Sequence, residues 1–288
     1  MLAAQTELSA LQWQACALAA DNAVKYAERA GDLVLLQYAR GHRLVPRVAG
    51  PFPAKEALEF LAANAVSTPF QPVFRSLLEA MLGEFDKARA SVTEGRTQAR
   101  ELGQRLLAAG MSMQAASVEL DAGDAERAHE LAVEGVAQLD ELGERGWLST
   151  VAGYGAEAAY RLERDDEAWR LTEIAESAGA PDDVVTQMLV LQVRAKILAR
   201  RGAYERGAYE PAERLAREAV AWGEPTDALV EKADAYRDLA IVLEAAGKRD
   251  EALEALDTAR ALYEQKGHIV GQVRADELRS EFVATLGP

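Results

Sequence analysis

Apolar side chains recur along this chain at helical spacing, three or four residues apart, and the whole pattern returns about every 40 residues. Four segments share one frame: Gly83-Glu84-Phe85-Asp86-Lys87-Ala88, Gly123-Asp124-Ala125-Glu126-Arg127-Ala128, Glu163-Arg164-Asp165-Asp166-Glu167-Ala168 and Gly247-Lys248-Arg249-Asp250-Glu251-Ala252. Their first residues stand at 83, 123, 163 and 247, so the intervals are 40, 40 and 84. A period of this length predicts a stack of helical hairpins, each burying one face against its neighbours. Within the long interval, Arg201-Gly202-Ala203-Tyr204-Glu205 is repeated at Arg206-Gly207-Ala208-Tyr209-Glu210. Counting 39 from Glu163 to Gly202 and 40 from Gly207 to Gly247 keeps the rhythm on both sides. The duplication therefore belongs in an exposed loop, where inserted residues cost little; a register slip of the second half is the alternative.

The pattern predicts helices over 2–30 (one long or two abutting), 33–45 and 54–64. Gly50 and the prolines Pro46, Pro51 and Pro53 break the chain between the last two. This is the most irregular connector and the expected place for a hinge. From Pro69 the hairpins become regular, with helices near 69–82 and 84–102, 105–122 and 124–142, 147–162 and 165–178, 182–201 and 208–223, 228–246 and 248–266. A final helix covers 269–286. Residues 1–68 thus read as irregular N-terminal repeats and 69–287 as regular ones, in one continuous solenoid. Short loops make consecutive helices antiparallel neighbours.

Small residues mark where helices must approach closely. In the last hairpin Tyr236, Leu239, Ala240 and Leu243, followed by Ala252, Leu256 and Ala259, resemble the tetratricopeptide pattern. Ala156, Ala168 and Ala175 repeat the choice, as do Ala128 and Ala88. The second helices run past the usual stopping point, as at Leu139-Asp140-Glu141-Leu142-Gly143, which lengthens the period to 40. HEAT-type repeats share that period but lack the small residues at these places. The fold class is therefore all-α, a tetratricopeptide-like α-solenoid.

Several stretches resemble the helical repeats at the C-terminal end of large bacterial signalling proteins. They include the run Leu139–Val151, Ala180-Pro181-Asp182-Asp183-Val184, the run Val193–Gly202 and the run Ala212–Val220. The proteins in question are class III adenylate/guanylate cyclases with ATPase modules and LuxR-type regulators with large ATP-binding regions. The resemblance spans about residues 70–287, and 1–69 more weakly. It implies a sensing or partner-binding arm in a signalling or transcription-regulatory system. Neither cyclase, ATPase nor DNA-binding activity carries over. The chain has no phosphate-cradling Gly-x-x-x-x-Gly-Lys-Ser/Thr loop, no Asp pair for catalytic magnesium and no basic recognition helix.

Composition narrows the function further. A net charge of −15, with both signs interspersed, offers no basic stripe for nucleic acid or an anionic membrane. One cysteine, Cys16, excludes an internal disulfide, and His42, His129 and His268 show no metal-ligand spacing. No run of 18 apolar residues occurs. Met1–Ala20 has no Lys or Arg ahead of Lys25, which argues against a signal peptide and for a cytoplasmic protein. No nucleophile–base signature is present, and the carboxylates sit beside arginines as on solvated helix faces. We expect no enzyme, no cofactor and no metal.

What remains is the concave face, lined by first helices. The frame places Met113 and Ser117, Thr150, Glu157 and Tyr160, Gln192 and Lys196, and Asp234, Arg237 and Glu244 inward. Of these, Glu157, Tyr160, Gln192, Lys196, Asp234, Arg237 and Glu244 form the candidate partner-binding set, for a peptide or a charged metabolite. The alternative is that they pair with one another. Trp13, Trp147, Trp169 and Trp222 read as packing residues before ligand platforms. Two functions follow: a scaffold or sensor arm holding a peptide or protein, with a cyclase, ATPase or regulator domain among the candidate partners, or a small-ligand regulatory module. An apolar face at Leu8, Leu11 and Leu18 without a polar helix cap suggests a fragment missing an upstream neighbour.

Overall fold

Five successive turns of the regular region carry a residue whose backbone is left-handed, and these residues fall 20 apart. Gly83, Gly103, Gly123 and Gly143 have φ between 69° and 82°, and Glu163 continues the series at φ 60°. The 40-residue period of the sequence is thus two equal helix-plus-turn units. At Gly83 the chain closes a Schellman motif, in which Gly83 N–H donates to Ala80 O and Glu84 N–H to Glu79 O. The same pair of bonds recurs at Gly123, Glu163 and Gly247. Reversal takes two residues, so adjacent helices must lie antiparallel. Glycine adopts the left-handed region without steric cost, whereas glutamate does not. Replacing Glu163→Gly should therefore stabilise the fold by about 1 kcal/mol, read from urea denaturation. No change would mean that the strain is relieved locally.

A computed structural model of the chain describes residues 11–202 and 209–284. Among these residues there is no strand. The helices are α1 (Trp13–Ala30), α2 (Leu33–His42), α3 (Leu44–Ala49), α4 (Ala54–Ala63), α5 (Phe70–Met81), α6 (Phe85–Glu101), α7 (Arg105–Gly110), α8 (Ser112–Ala122), α9 (Ala125–Glu141), α10 (Gly146–Arg161), α11 (Asp165–Ala178), α12 (Val184–Gly202), α13 (Glu210–Gly223), α14 (Leu229–Ala245), α15 (Arg249–Lys266) and α16 (Ile269–Ala284). The sequence-duplication loop falls mainly at 203–208, outside the described residues, and so do Leu8 and the start of the first predicted helix. The predicted helix 105–122 is divided at Met111, between α7 and α8. Gly110 sits there because the Trp147 ring fills the space a Cβ would need, 2.1 Å from its Cε3. Pro46 stands inside the first turn of α3 rather than ending a helix, since its missing N–H has no partner to lose there.

The frame alanines Ala88, Ala128, Ala168 and Ala252 are all fully buried. They let α6, α9, α11 and α15 lie close to their hairpin partners. Leucines and valines fill the remaining space, as where Leu239, Leu243 and Leu256 pack with Ala195 and Ala216. Helices α5, α8, α10, α12 and α14 form an inner row, with α6, α9, α11, α13 and α15 outside. The tetratricopeptide-like α-solenoid is thus the fold.

The row then turns back on itself. Helix α16 touches α5, and its Arg274 donates to the carbonyls of Leu120 and Asp121 at the end of α8, at 2.6 and 2.7 Å. A guanidinium there satisfies orphaned carbonyls and complements the negative helix end. Two further ties join the beginning of the described chain to its end. The Asp227 carboxylate caps α1, accepting from Trp13 N–H at 2.6 Å and Gln14 N–H at 2.8 Å. The buried Lys266 ammonium donates to the carbonyls of Val48, Gly50 and Phe52 at 2.6, 2.6 and 2.9 Å.

The ties bear on two expectations. The proline-rich connector is a clamped strap, not a hinge, because its carbonyls share one buried cation. The helix that begins at Trp13 has a polar cap, supplied by a residue more than 200 positions away, while the start of the predicted first helix lies outside the described residues. Leu11 is buried against Ala228 and Val184, while Leu18 is exposed.

Candidate binding site in the lumen

Closing the inner row encloses a lumen with two connected parts. Its floor is a cavity of about 90 Å³ to which α5, α8, α10, α12, α14 and α16 all contribute. That is room for roughly six waters. The floor is charged. Lys196 Nζ lies 2.5 Å from Glu157 Oε2 and 2.7 Å from Asp238 Oδ2. Arg161 Nε reaches the other Glu157 oxygen at 2.8 Å. Arg237 spans Asp238 at 2.9 Å and Asp234 at 2.7 Å, and the Tyr263 hydroxyl donates to Asp234.

Burial alone would raise the Glu157 pKa, but Lys196, Arg161 and Arg237 together hold its carboxyl far below the usual range. Burial likewise opposes the Lys196 charge, and Asp238 and Glu157 overcome it, so its pKa is raised. Glu157 and Lys196 are thus both charged at neutral pH and matched to one another. On the α16 side, burial pushes His268 down, which makes it neutral; its Nδ1 accepts from Gly271 N–H at 3.1 Å.

The sequence-selected residues separate accordingly. Glu157, Gln192, Asp234 and Arg237 line the floor. Lys196 lies behind it, 2 % exposed, its charge consumed by Glu157 and Asp238. Tyr160 covers Lys196 and Arg200, with cation-to-ring distances of 4.9 and 4.0 Å. Glu244 is elsewhere: it sits near the end of α14 and pairs with Arg249, one turn beyond the lumen. Mutual pairing, the alternative reading of this set, describes most of its members. The inward expectations Met113, Ser117 and Thr150 lie in the second part of the lumen.

That part is a vestibule of about 420 Å³. Its walls are Leu11 and Trp13 of the N-terminal segment, Val45, Val48 and Ala49 of α3, Phe70 and Phe74 of α5, Met113 and Gln114 of α8, Trp147 and Tyr154 of α10, and Val185 and Glu231 on the far side. The strap therefore supplies one wall, held in place by Lys266. Leu77, Ser117, Tyr154, Val185 and Glu231 border both cavities. The sequence frame missed Gln114 and Glu231, and the sequence read Trp13 and Trp147 as packing residues, whereas both line the vestibule. Glu231 stands one helical turn before Asp234 on the inward stripe of α14, which was a usable signal. Nothing local marked Trp13 or the α3 wall, because tertiary closure alone brings them there.

Among the described residues no cluster of three or more His, Cys, Asp or Glu is arranged for a metal ion, and no helix is long and apolar enough to cross a membrane.

No family model matches the chain, and no curated protein matches it in sequence. Solved structures do match in fold. NprR in complex with its cognate peptide NprX superposes with a TM-score of 0.57 at 18% identity, covering 80% of this chain and 67% of that one. The apo form of the quorum sensor NprR from B. thuringiensis gives 0.48 at 15%, covering 96% and 75%. BtubC (BKLC) from P. vanneervenii gives 0.46 at 18%, covering 73% and 88%. At such identity the first of these likenesses shows the fold alone, the helical repeat described above.

Proposed function

We propose that this chain is a non-enzymatic binding arm of a bacterial, cytoplasmic regulatory system, which takes an apolar segment of a peptide or protein into its lumen. The observation that carries this reading is the vestibule: a 420 Å³ cavity, mostly apolar, walled by the strap and the inner helices. Apolar walls with a few polar groups suit a ligand that hides hydrocarbon and is oriented by hydrogen bonds. The fold shared with NprR, whose structure holds a peptide, supports the choice of ligand. The charged floor contributes rigidity, since its cations and anions are already paired.

The test is a random octapeptide library displayed against the full chain, followed by titration of the selected sequence. Met113→Arg places a charge in the vestibule wall and should lower affinity roughly a hundredfold, with helicity unchanged by circular dichroism. Equal affinity in the variant would remove the vestibule as the site.

A second reading is a regulatory module for a small ligand, serving a cyclase, ATPase or LuxR-type partner as the sequence resemblance implies. The cavity volume favours it, being within the range of small-molecule pockets. A ligand that binds only the folded state raises the melting temperature, so a thermal-shift screen of nucleotides, sugars and small acids separates the two readings.

A further inference from the structure

The vestibule is unlike the rest of the molecule in three respects. Five of its lining residues are aromatic, Trp13, Phe70, Phe74, Trp147 and Tyr154, in a chain that is only 6% aromatic. It holds two acids, Asp183 and Glu231, and no Lys, Arg or His. Most tellingly, three buried side-chain atoms with no hydrogen-bond partner among the described residues belong to its walls: Trp13 Nε1, Gln114 Oε1 and Glu231 Oε2. Each such atom costs free energy in a folded protein and calls for a reason.

The two acids are not equivalent. Asp183 is occupied, accepting from Thr186 Oγ1 at 2.7 Å and Thr186 N–H at 3.2 Å. Among the described residues Glu231 has no hydrogen-bonded cation; Lys266 is the one positive charge that favours its ionised form, and only from a distance. Asp227 and Asp234, its near neighbours on the same segment, repel it, and Lys266 has turned its three protons to the strap carbonyls. Burial therefore pushes Glu231 up to about 7. Rings beside a carboxylate, in a lining that carries no Lys, Arg or His, form the environment that attracts an organic cation. An anionic ligand would meet the two carboxylates of the lining and no cation in it.

We infer that the vestibule binds an ammonium group carried on an apolar body, with the nitrogen against Glu231 and the hydrocarbon among the five rings. The source we favour is the free amino end of an apolar peptide. One peptide unit supplies a carbonyl for Trp13 Nε1–H and an N–H for Gln114 Oε1, which a simple amine does not. The end torsions of glutamate and glutamine are broad, so both groups can turn into the lumen without distorting the helices. This inference deepens the peptide reading and rests on the lumen being the binding site.

The experiment is calorimetric titration of the full chain at pH 7.5 with leucyl-phenylalanyl-glycinamide, its N-acetyl derivative, and phenylethylammonium. The free peptide should bind at least tenfold more tightly than the acetylated one. Glu231→Gln, which keeps the shape and removes the charge, should erase that difference. Fluorescence of Trp13 and Trp147 should shift on binding as a second readout. Phenylethylammonium binding as tightly as the free peptide would support the ammonium site and assign it to a small amine. Equal binding of the free and acetylated peptides would overturn the inference while leaving the lumen as a peptide site. Failure of all three probes to bind would overturn it too, and the library selection with Met113→Arg would then judge the lumen separately.

Discussion

Lys196→Met should cost about 3–5 kcal/mol of folding stability, the largest loss we expect from a single substitution in this chain. The ammonium is 2 % exposed and bridges Glu157 of α10 to Asp238 of α14, joining three successive inner helices. Methionine fills the volume but removes the buried ammonium that Glu157 and Asp238 share, leaving each carboxylate with only its arginine, Arg161 or Arg237. Urea denaturation at pH 7 measures the loss. Neutralising the partners as well, with Glu157→Gln and Asp238→Asn, should recover much of it, because the penalty lies in the unpaired charges. The pH dependence carries a definite sign. In the native chain Glu157 is held below its ordinary value of 4.5. Its contribution is therefore complete above pH 4.5 and lost as pH falls through the lower, folded value. In Lys196→Met the carboxyl loses the strongest of the charges that lower it, so its pKa rises from the native value and the penalty should shrink on acidification. A loss under 1 kcal/mol at pH 7 would show that the floor is not sealed as described. It follows that Lys196 cannot serve as a free binding charge; a charge reversal there would unfold the site before it weakened a ligand.

Release of the strap is the second large effect. Lys266→Met should destabilise the fold by about 3 kcal/mol, since three carbonyls lose a charged donor. Burial pushes Lys266 down to about 8, so the ammonium is still protonated at neutral pH and can satisfy all three. The loss should be uneven. Amide hydrogen exchange should accelerate most over residues 44–54 and at the start of α1, where Trp13 packs on Gly50. A Cβ on Gly50 would come within 2.6 Å of the Trp13 Cβ, so strap and first helix are fitted to one another. Exchange that rises evenly over the whole chain would mean that the clamp belongs to the global fold and does not hold a separable wall. Peptide binding should fall with the strap, because Val45, Val48 and Ala49 leave the vestibule with it.

The repeat was legible because its signals are local. A left-handed residue, a two-residue turn and an alanine at the closest approach occupy fixed positions within each unit, and each obeys backbone sterics or helix packing. Gly83, Gly123 and Gly247 with Ala88, Ala128 and Ala252 needed no tertiary knowledge to place. Glu163 shows the limit: its position was readable, but only the coordinates reveal that it adopts φ 60° without the freedom of glycine. The candidate set was partly readable for the same reason. Helical spacing put Glu157, Gln192, Asp234 and Arg237 on inward faces, yet spacing does not say whether inward charges are free or paired. Pairing depends on which helices become neighbours and how far their side chains reach. Extending the stripe to Glu244 failed because the inner helices outrun the lumen, and their last turns face hairpin ends.

By itself, then, the sequence determined the unit: helix length, turn, small contact residue and therefore a tetratricopeptide-like stack. The tertiary structure alone decided the closure, because Asp227 on Trp13, Lys266 on the strap and Arg274 on α8 join residues about 150 to 220 positions apart. Contacts so distant leave no periodic trace, since each is made once. The vestibule exists only through that closure, which is why Trp13, Gln114 and Glu231 look ordinary in the chain and stand together in the fold.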